Sequence, residues 1–161
     1  MAHFRPVDVR IWSDAQFVKL SDDGKLLFLL VLTHPNMTML GAMRGTVAGL
    51  AAELGWTATR GHEAFSQLVS ADHPLVEYDE QARYIGLPNF LKYQPPANGN
   101  VVKSWREPWE LIPECKLKDQ LLCRIREHLQ TRGPTFITAF ETVLGTVGGT
   151  VAGTVSPTVP P

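Results

Sequence analysis

The chain has 161 residues, 44% of them hydrophobic, and a formal charge of −1 from 15 basic and 16 acidic side chains. That length suits one domain with an appendage, and the near-neutral charge argues against a strong nonspecific grip on nucleic acid. The two cysteines, Cys115 and Cys123, form no Cys-x-x-Cys pair and no disulfide framework, and with His128 they fall one ligand short of a common metal site.

Val7, Val9 and Ile11 alternate with Asp8 and Arg10, the period of a half-buried strand. Ser13 and Gln16 have the spacing of a capping box, which predicts a short helix carrying Phe17, Val18 and Leu20. Ser21-Asp22-Asp23 opens a second helix, with both acids well placed for the helix dipole. The run Leu26–Leu32 is apolar all round. It suits a helix buried on most sides better than a buried strand, because leucine favours helix and a cap precedes it. His34-Pro35-Asn36 ends this helix, and Met37 to Arg44 leaves room for one short strand.

Residues Thr46 to Ser70 read as two short helices with a tight turn between them. Val47, Leu50, Ala51 and Leu54 form one apolar stripe, and Gly55 supplies the left-handed residue that ends a helix cheaply. Thr57 or Thr59 caps the next helix, on which Gly61, Ala64, Phe65 and Leu68 share a face, with Val69 at its edge. Thr59, Glu63, Ser66 and Ser70 point the other way, flanked by Arg60 and Gln67. This is the helix-turn-helix pattern; the competing reading is an ordinary helical hairpin in an all-helical core. Val76 and Tyr78, then Ile85 and Leu87, predict a β-hairpin across Asp79-Glu-Gln-Ala82. Strand, two helices and hairpin in that order make a winged helix.

Pro88 to Pro96 interleaves aromatic and basic residues. After a Pro/Gly/Asn loop come Val101 to Trp109, where Trp105 and Trp109, four apart, suit a buried anchor better than an exposed contact. Pro113 opens a helix over Glu114 to Arg132, with Leu117, Leu121, Ile125 and Leu129 at helical spacing. Gly133-Pro134 breaks it, and Thr135 caps a last short helix through Phe136, Ile137 and Phe140. From Glu141 the chain repeats every four residues around Thr-Val pairs, and Gly145–Pro161 reads as a disordered tail.

Charge is unevenly distributed. Residues 57–87 carry two basic side chains against five acids, whereas residues 88–132 carry eight against five. Arg60 and Gln67 suit guanine and adenine edges, and Thr57, Thr59 and Ser66 suit bases or phosphates; Glu63 sits among them. Arg83 in the hairpin, with Lys92, Lys103 and Arg106 beyond it, supplies phosphate-binding charge. No Gly-rich phosphate loop, Gly-x-Ser-x-Gly or His-Glu-x-x-His motif occurs, and the five histidines are scattered near element ends. No enzymatic activity, metal or cofactor is expected. The longest apolar run is too short for a bilayer and the N-terminus lacks a signal-peptide pattern, so the expectation is a cytoplasmic protein without a membrane partner.

The strings Val7-Asp-Val-Arg-Ile-Trp12, Leu32-Thr-His-Pro35, Leu40-Gly-Ala-Met43, Leu50-Ala-Ala-Glu-Leu-Gly-Trp56, Leu87-Pro-Asn-Phe-Leu91 and Asn100-Val-Val-Lys-Ser-Trp105 resemble a group of phage and prophage replication-associated proteins. Over about residues 4–130 the chain is similar to the N-terminal winged-helix domain of DnaD-like replisome organizers. The resemblance implies a winged helix that engages double-stranded DNA or another copy of itself in a bacterial host. It also implies a C-terminal part that recruits host replication proteins. After residue 130 a last short helix and the repetitive tail leave little room for a second folded domain, so the winged helix alone carries over.

The expected fold is mainly α with a small β-hairpin. It comprises a winged-helix domain over residues 1–94, a C-terminal helical extension over 95–144 and the low-complexity tail over 145–161. The expected function is DNA binding in replication initiation or its control. The alternative is an interaction adaptor, by oligomerisation or host-factor binding, without DNA contact.

Overall fold

The computed structural model describes residues 4–70 and 72–147. The chain is mainly helical around a three-stranded antiparallel sheet. A 3-10 turn, Val9–Ser13, leads into α1, Ala15–Val18, and α2, Asp22–Thr33. Strand β1, Ala42–Arg44, precedes α3, Val47–Glu53, and α4, Ala58–Val69. The hairpin is β2, Glu77–Asp79, and β3, Tyr84–Gly86. Three short helices follow: α5, Phe90–Tyr93, α6, Gly99–Lys103, and α7, Arg106–Glu110. The chain then forms α8, Lys116–Arg132, and α9, Pro134–Val147.

The helix pair forms as its sequence dictates. The Thr46 hydroxyl accepts from the Gly49 N–H at 3.1 Å, and that of Thr57 from Arg60 at 3.3 Å, so Thr57 is the cap of α4. Gly55 turns the chain at φ +69°. A methyl group on Gly61 would lie 2.4 Å from the Ala51 side chain, so glycine there sets the spacing of α3 and α4. Ala64, Phe65 and Leu68 are buried on the expected face of α4.

Strand β3 lies between the other two. Ala42 pairs with Gly86 and Met43 with Ile85 on one side, and Tyr78 pairs with Ile85 on the other. Asp79 Oδ1 accepts from the Ala82 N–H at 2.9 Å, and Arg83 takes a left-handed φ of +55° to close the hairpin. Against β2 and β3 packs α8, with Leu117, Leu121, Ile125 and Leu129 buried at the predicted spacing. Arg124 of α8 binds the Glu77 carboxylate through both terminal nitrogens. Helix α9 packs on α6, α7 and α8, where buried Trp105 and Trp109 stand edge-on to Phe140 with ring centroids 6.2 and 5.8 Å away. Nearly all the buried hydrophobic residues, from Phe17 to Val143, form one cluster.

Several local expectations differ from what forms. Val7, Val9 and Ile11 make no strand. Asp8 instead accepts from the Arg10 N–H and pairs with its guanidinium, which holds the carboxyl down at about 2 and bends the segment into the 3-10 turn. Asp14, not Ser13, caps α1, accepting from Gln16 and Phe17. Ser21 caps α2 as expected, but that helix buries only one line of its apolar run: Leu27 and Val31 are fully buried, whereas Leu26 is 47% exposed. His34 is buried rather than superficial, its Nε2 facing the Glu53 carboxylate at 3.0 Å and its Nδ1 accepting from Asn36. Helix α8 starts at Lys116 rather than Glu114. Helix α9 starts at Pro134, whose missing N–H costs nothing in a first turn, and runs to Val147, two residues past the expected start of the tail. Residues 148–161 of that tail lie outside the described residues.

Candidate nucleic-acid interface

Helix α4 presents its polar surface in two parts. Its outer face carries Thr59, His62, Glu63 and Ser66, all exposed. On the hairpin side it borders an open groove of about 930 Å³, walled by Thr46, His62, Ser66, Asp79, Arg83 and Lys116. Arg83 and Thr46 also border a neighbouring cleft that Arg44 lines. Arg44, Arg83 and Lys116 therefore ring the junction of β1, the hairpin and the start of α8. None of the three side chains makes a hydrogen bond or ion pair among the described residues. Three carboxylates line the groove, Glu77 (paired with Arg124), Asp79 and Glu80, and Glu63 is exposed on the outer face of α4. Burial raises the Tyr78 phenol above its usual value, and the nearby Glu80 charge raises it further, whereas Arg83 lowers it.

On the α2 side the same helix is engaged. Arg60 donates from Nε and Nη2 to the two Asp23 oxygens, each at 2.7 Å, and its guanidinium lies 4.4 Å from the Trp56 ring centre. The Arg60 hydrogen bonds lower the Asp23 pKa, and Asp23 in turn raises that of Arg60. Gln67 accepts from the Ser21 N–H and donates to its hydroxyl, both at 2.9 Å. The two side chains best suited to base edges thus tie α4 to the start of α2.

The remaining candidates are dispersed. Thr57 is exposed and occupied as a cap, and Arg83 sits at the hairpin turn. Lys92 lies over the Tyr93 ring in α5, which packs on α8. Lys103 and Arg106 belong to α6 and α7, which pack on α9, whereas α4 packs on α2, α3 and β2. Reading the sequence missed Arg44, His62 and Lys116. Arg44 carries a legible signal as the polar end of Ala42-Met43-Arg44. Lys116 carries none, because it reaches the groove only through the docking of α8 on the sheet.

A second surface lies at the N-terminal segment. There Val7, Ile11, Phe17, Phe28, Leu32 and Phe90 line an apolar cleft of about 90 Å³. Phe4, Val9 and Trp12 beside it are 88%, 81% and 64% exposed. Arg5 holds the segment down by donating to the Met37 carbonyl at 2.8 Å, and Gln94 by donating to that of Pro6 at 2.6 Å.

Among the described residues, no three His, Cys, Asp or Glu side chains come together as a metal-holding group. None of their helices is long and apolar enough to cross a membrane. No family model, curated protein or solved structure matches the chain.

Proposed function

We propose that this is a winged-helix DNA-binding protein that acts in replication initiation or its control. One observation carries the reading: the strand, helix pair and hairpin leave the outer face of α4 open beside a groove whose walls hold Arg83 and Lys116, with side chains unpaired among the described residues. In this reading α4 enters the major groove of a duplex, Thr59, His62 and Ser66 face base edges, and Arg44, Arg83 and Lys116 contact phosphates. The carboxylates Glu63, Asp79 and Glu80 keep nonspecific affinity low, as does the net charge of −1. The resemblance to phage replication proteins supports the replication role.

Fluorescence anisotropy with labelled duplex DNA at two salt concentrations tests the reading. A salt-sensitive signal that Arg83→Ala weakens is expected; no signal at low salt overturns it. A second reading, a protein-interaction adaptor, has its own observation in the exposed Phe4, Val9 and Trp12 beside the apolar cleft. For that reading Trp12→Ser lowers the sedimentation coefficient of a self-associating sample, and a monomeric parent counts against self-association.

A further inference from the structure

The ties between α4 and α2 have a geometry that a nucleic acid can reproduce. A carboxylate and a phosphodiester both present two oxygens to the fork of a guanidinium. Asp23 occupies the Nε–Nη2 edge of that fork, through two hydrogen bonds of 2.7 Å. The pair is open to solvent: the Arg60 side chain is 51% exposed and that of Asp23 35%. An exposed pair of this kind is screened by salt and weakly held. The guanidinium also lies over the Trp56 ring, and the Thr57 cap fixes the backbone from which Arg60 extends. The arginine can therefore exchange its partner without any change in α4.

We propose that the start of α2 is an intramolecular competitor for nucleic-acid phosphate: Asp23 holds Arg60 in the free protein, and a phosphodiester displaces its carboxylate when DNA reaches α4. The inference rests on the DNA-binding reading and adds its regulation. Affinity is set partly by an acidic group of the protein itself, and Ser21 reinforces the hold by engaging Gln67 two turns along the same flank.

Asp22 provides the control. It is the exposed neighbour of Asp23 and makes no ion pair among the described residues, so Asp22→Asn changes net charge alike without releasing Arg60. Anisotropy with a labelled duplex at low and moderate salt should find Asp23→Asn tighter than the parent by about three- to tenfold. Its salt slope should be steeper by about one phosphate contact. Asp22→Asn should give a clearly smaller gain, and the gain of Asp23→Asn should vanish in an Arg60→Ala background. Equal gains from the two asparagine variants, or a gain that survives Arg60→Ala, overturn the competitor. So does an Asp23→Asn variant that binds like the parent. If Arg83→Ala still weakens binding in those cases, the DNA-binding reading stands without it. If neither the parent nor Asp23→Asn binds at low salt, both fall. The Arg60 Nε–H resonance of the unaltered protein gives an independent measurement: it should shift on addition of duplex, and an unmoved resonance at saturation overturns the exchange.

Discussion

The two flanks of α4 both meet polar and basic side chains, but in opposite circumstances. Toward α2, an arginine and a glutamine are spent on Asp23 and Ser21. Toward the hairpin, Ser66, Arg83 and Lys116 border open space. Residue type alone made the first flank the better candidate reader, since Arg and Gln suit guanine and adenine. What distinguishes the flanks is the neighbour each meets. A capped helix start brings acceptors and donors within reach of one flank, and a groove separates the other from the hairpin.

The comparison depends first on how α2 is seated. Leu27→Ala should cost about 2–5 kcal/mol in chemical denaturation, because the side chain is wholly buried and leaves a cavity. Leu26→Ala, on the exposed side, should cost under about 1 kcal/mol. Equal effects would mean that α2 is rotated and that the engaged flank is drawn wrongly.

Next in size is the spacing of the helix pair. The gain in helix propensity from Gly61→Ala, about 1 kcal/mol, is outweighed by the clash with Ala51, so a net loss of about 1–2 kcal/mol is expected in the same unfolding experiment. Ala51→Gly should restore most of it. A stabilising Gly61→Ala would show that the two helices stand further apart than described.

The flanks are contrasted directly in DNA binding. Arg83→Ala and Lys116→Ala should each weaken it several-fold and lower the salt slope by about one. Arg60→Ala should weaken it less than either, because the phosphate contact that it loses is offset by the Asp23 pair that the parent gives up, and Lys103→Ala should change it little, because α6 packs on α9, away from α4. The reverse order of effects, read by anisotropy at two salt concentrations, would restore the α2 flank as the reader.

The smallest effect concerns neither flank. Burial lowers the His128 pKa on α8, and the Arg132 charge lowers it further; its Nε2 is buried without a hydrogen-bond partner among the described residues. Below the unperturbed value of about 6.5 the unfolded chain then takes up this proton more readily than the folded one, so stability falls as pH drops through that region. It levels off once the folded-state pKa is passed. His128→Gln should flatten this part of the pH–stability curve while leaving DNA binding unchanged. A curve that keeps its slope in the variant would assign the titration to another group.

The sequence by itself determined the elements whose signals are local. The stripe Val47, Leu50, Ala51 and the face Gly61, Ala64, Phe65, Leu68 follow from a 3.6-residue period, Gly55 from its conformational freedom, and the hairpin from two short alternations around a polar turn. The α8 core line from Leu117 to Leu129 is legible for the same reason. Where two local signals compete, the pattern misleads. Val7, Val9 and Ile11 alternate like a strand, yet Asp8 closes on Arg10 two residues away and bends the chain before any partner strand is met.

Only the tertiary structure decided the use of the polar residues. Ser21 and Gln67 are 46 positions apart, Asp23 and Arg60 are 37, and Glu77 and Arg124 are 47. No periodicity reaches that far. A helix period determines which side chains leave the core, but whether an exposed arginine stays free depends on what another element brings to it. For Arg60 that element is the capped start of α2. For Arg83 and Lys116 it is a groove that α8 borders without closing.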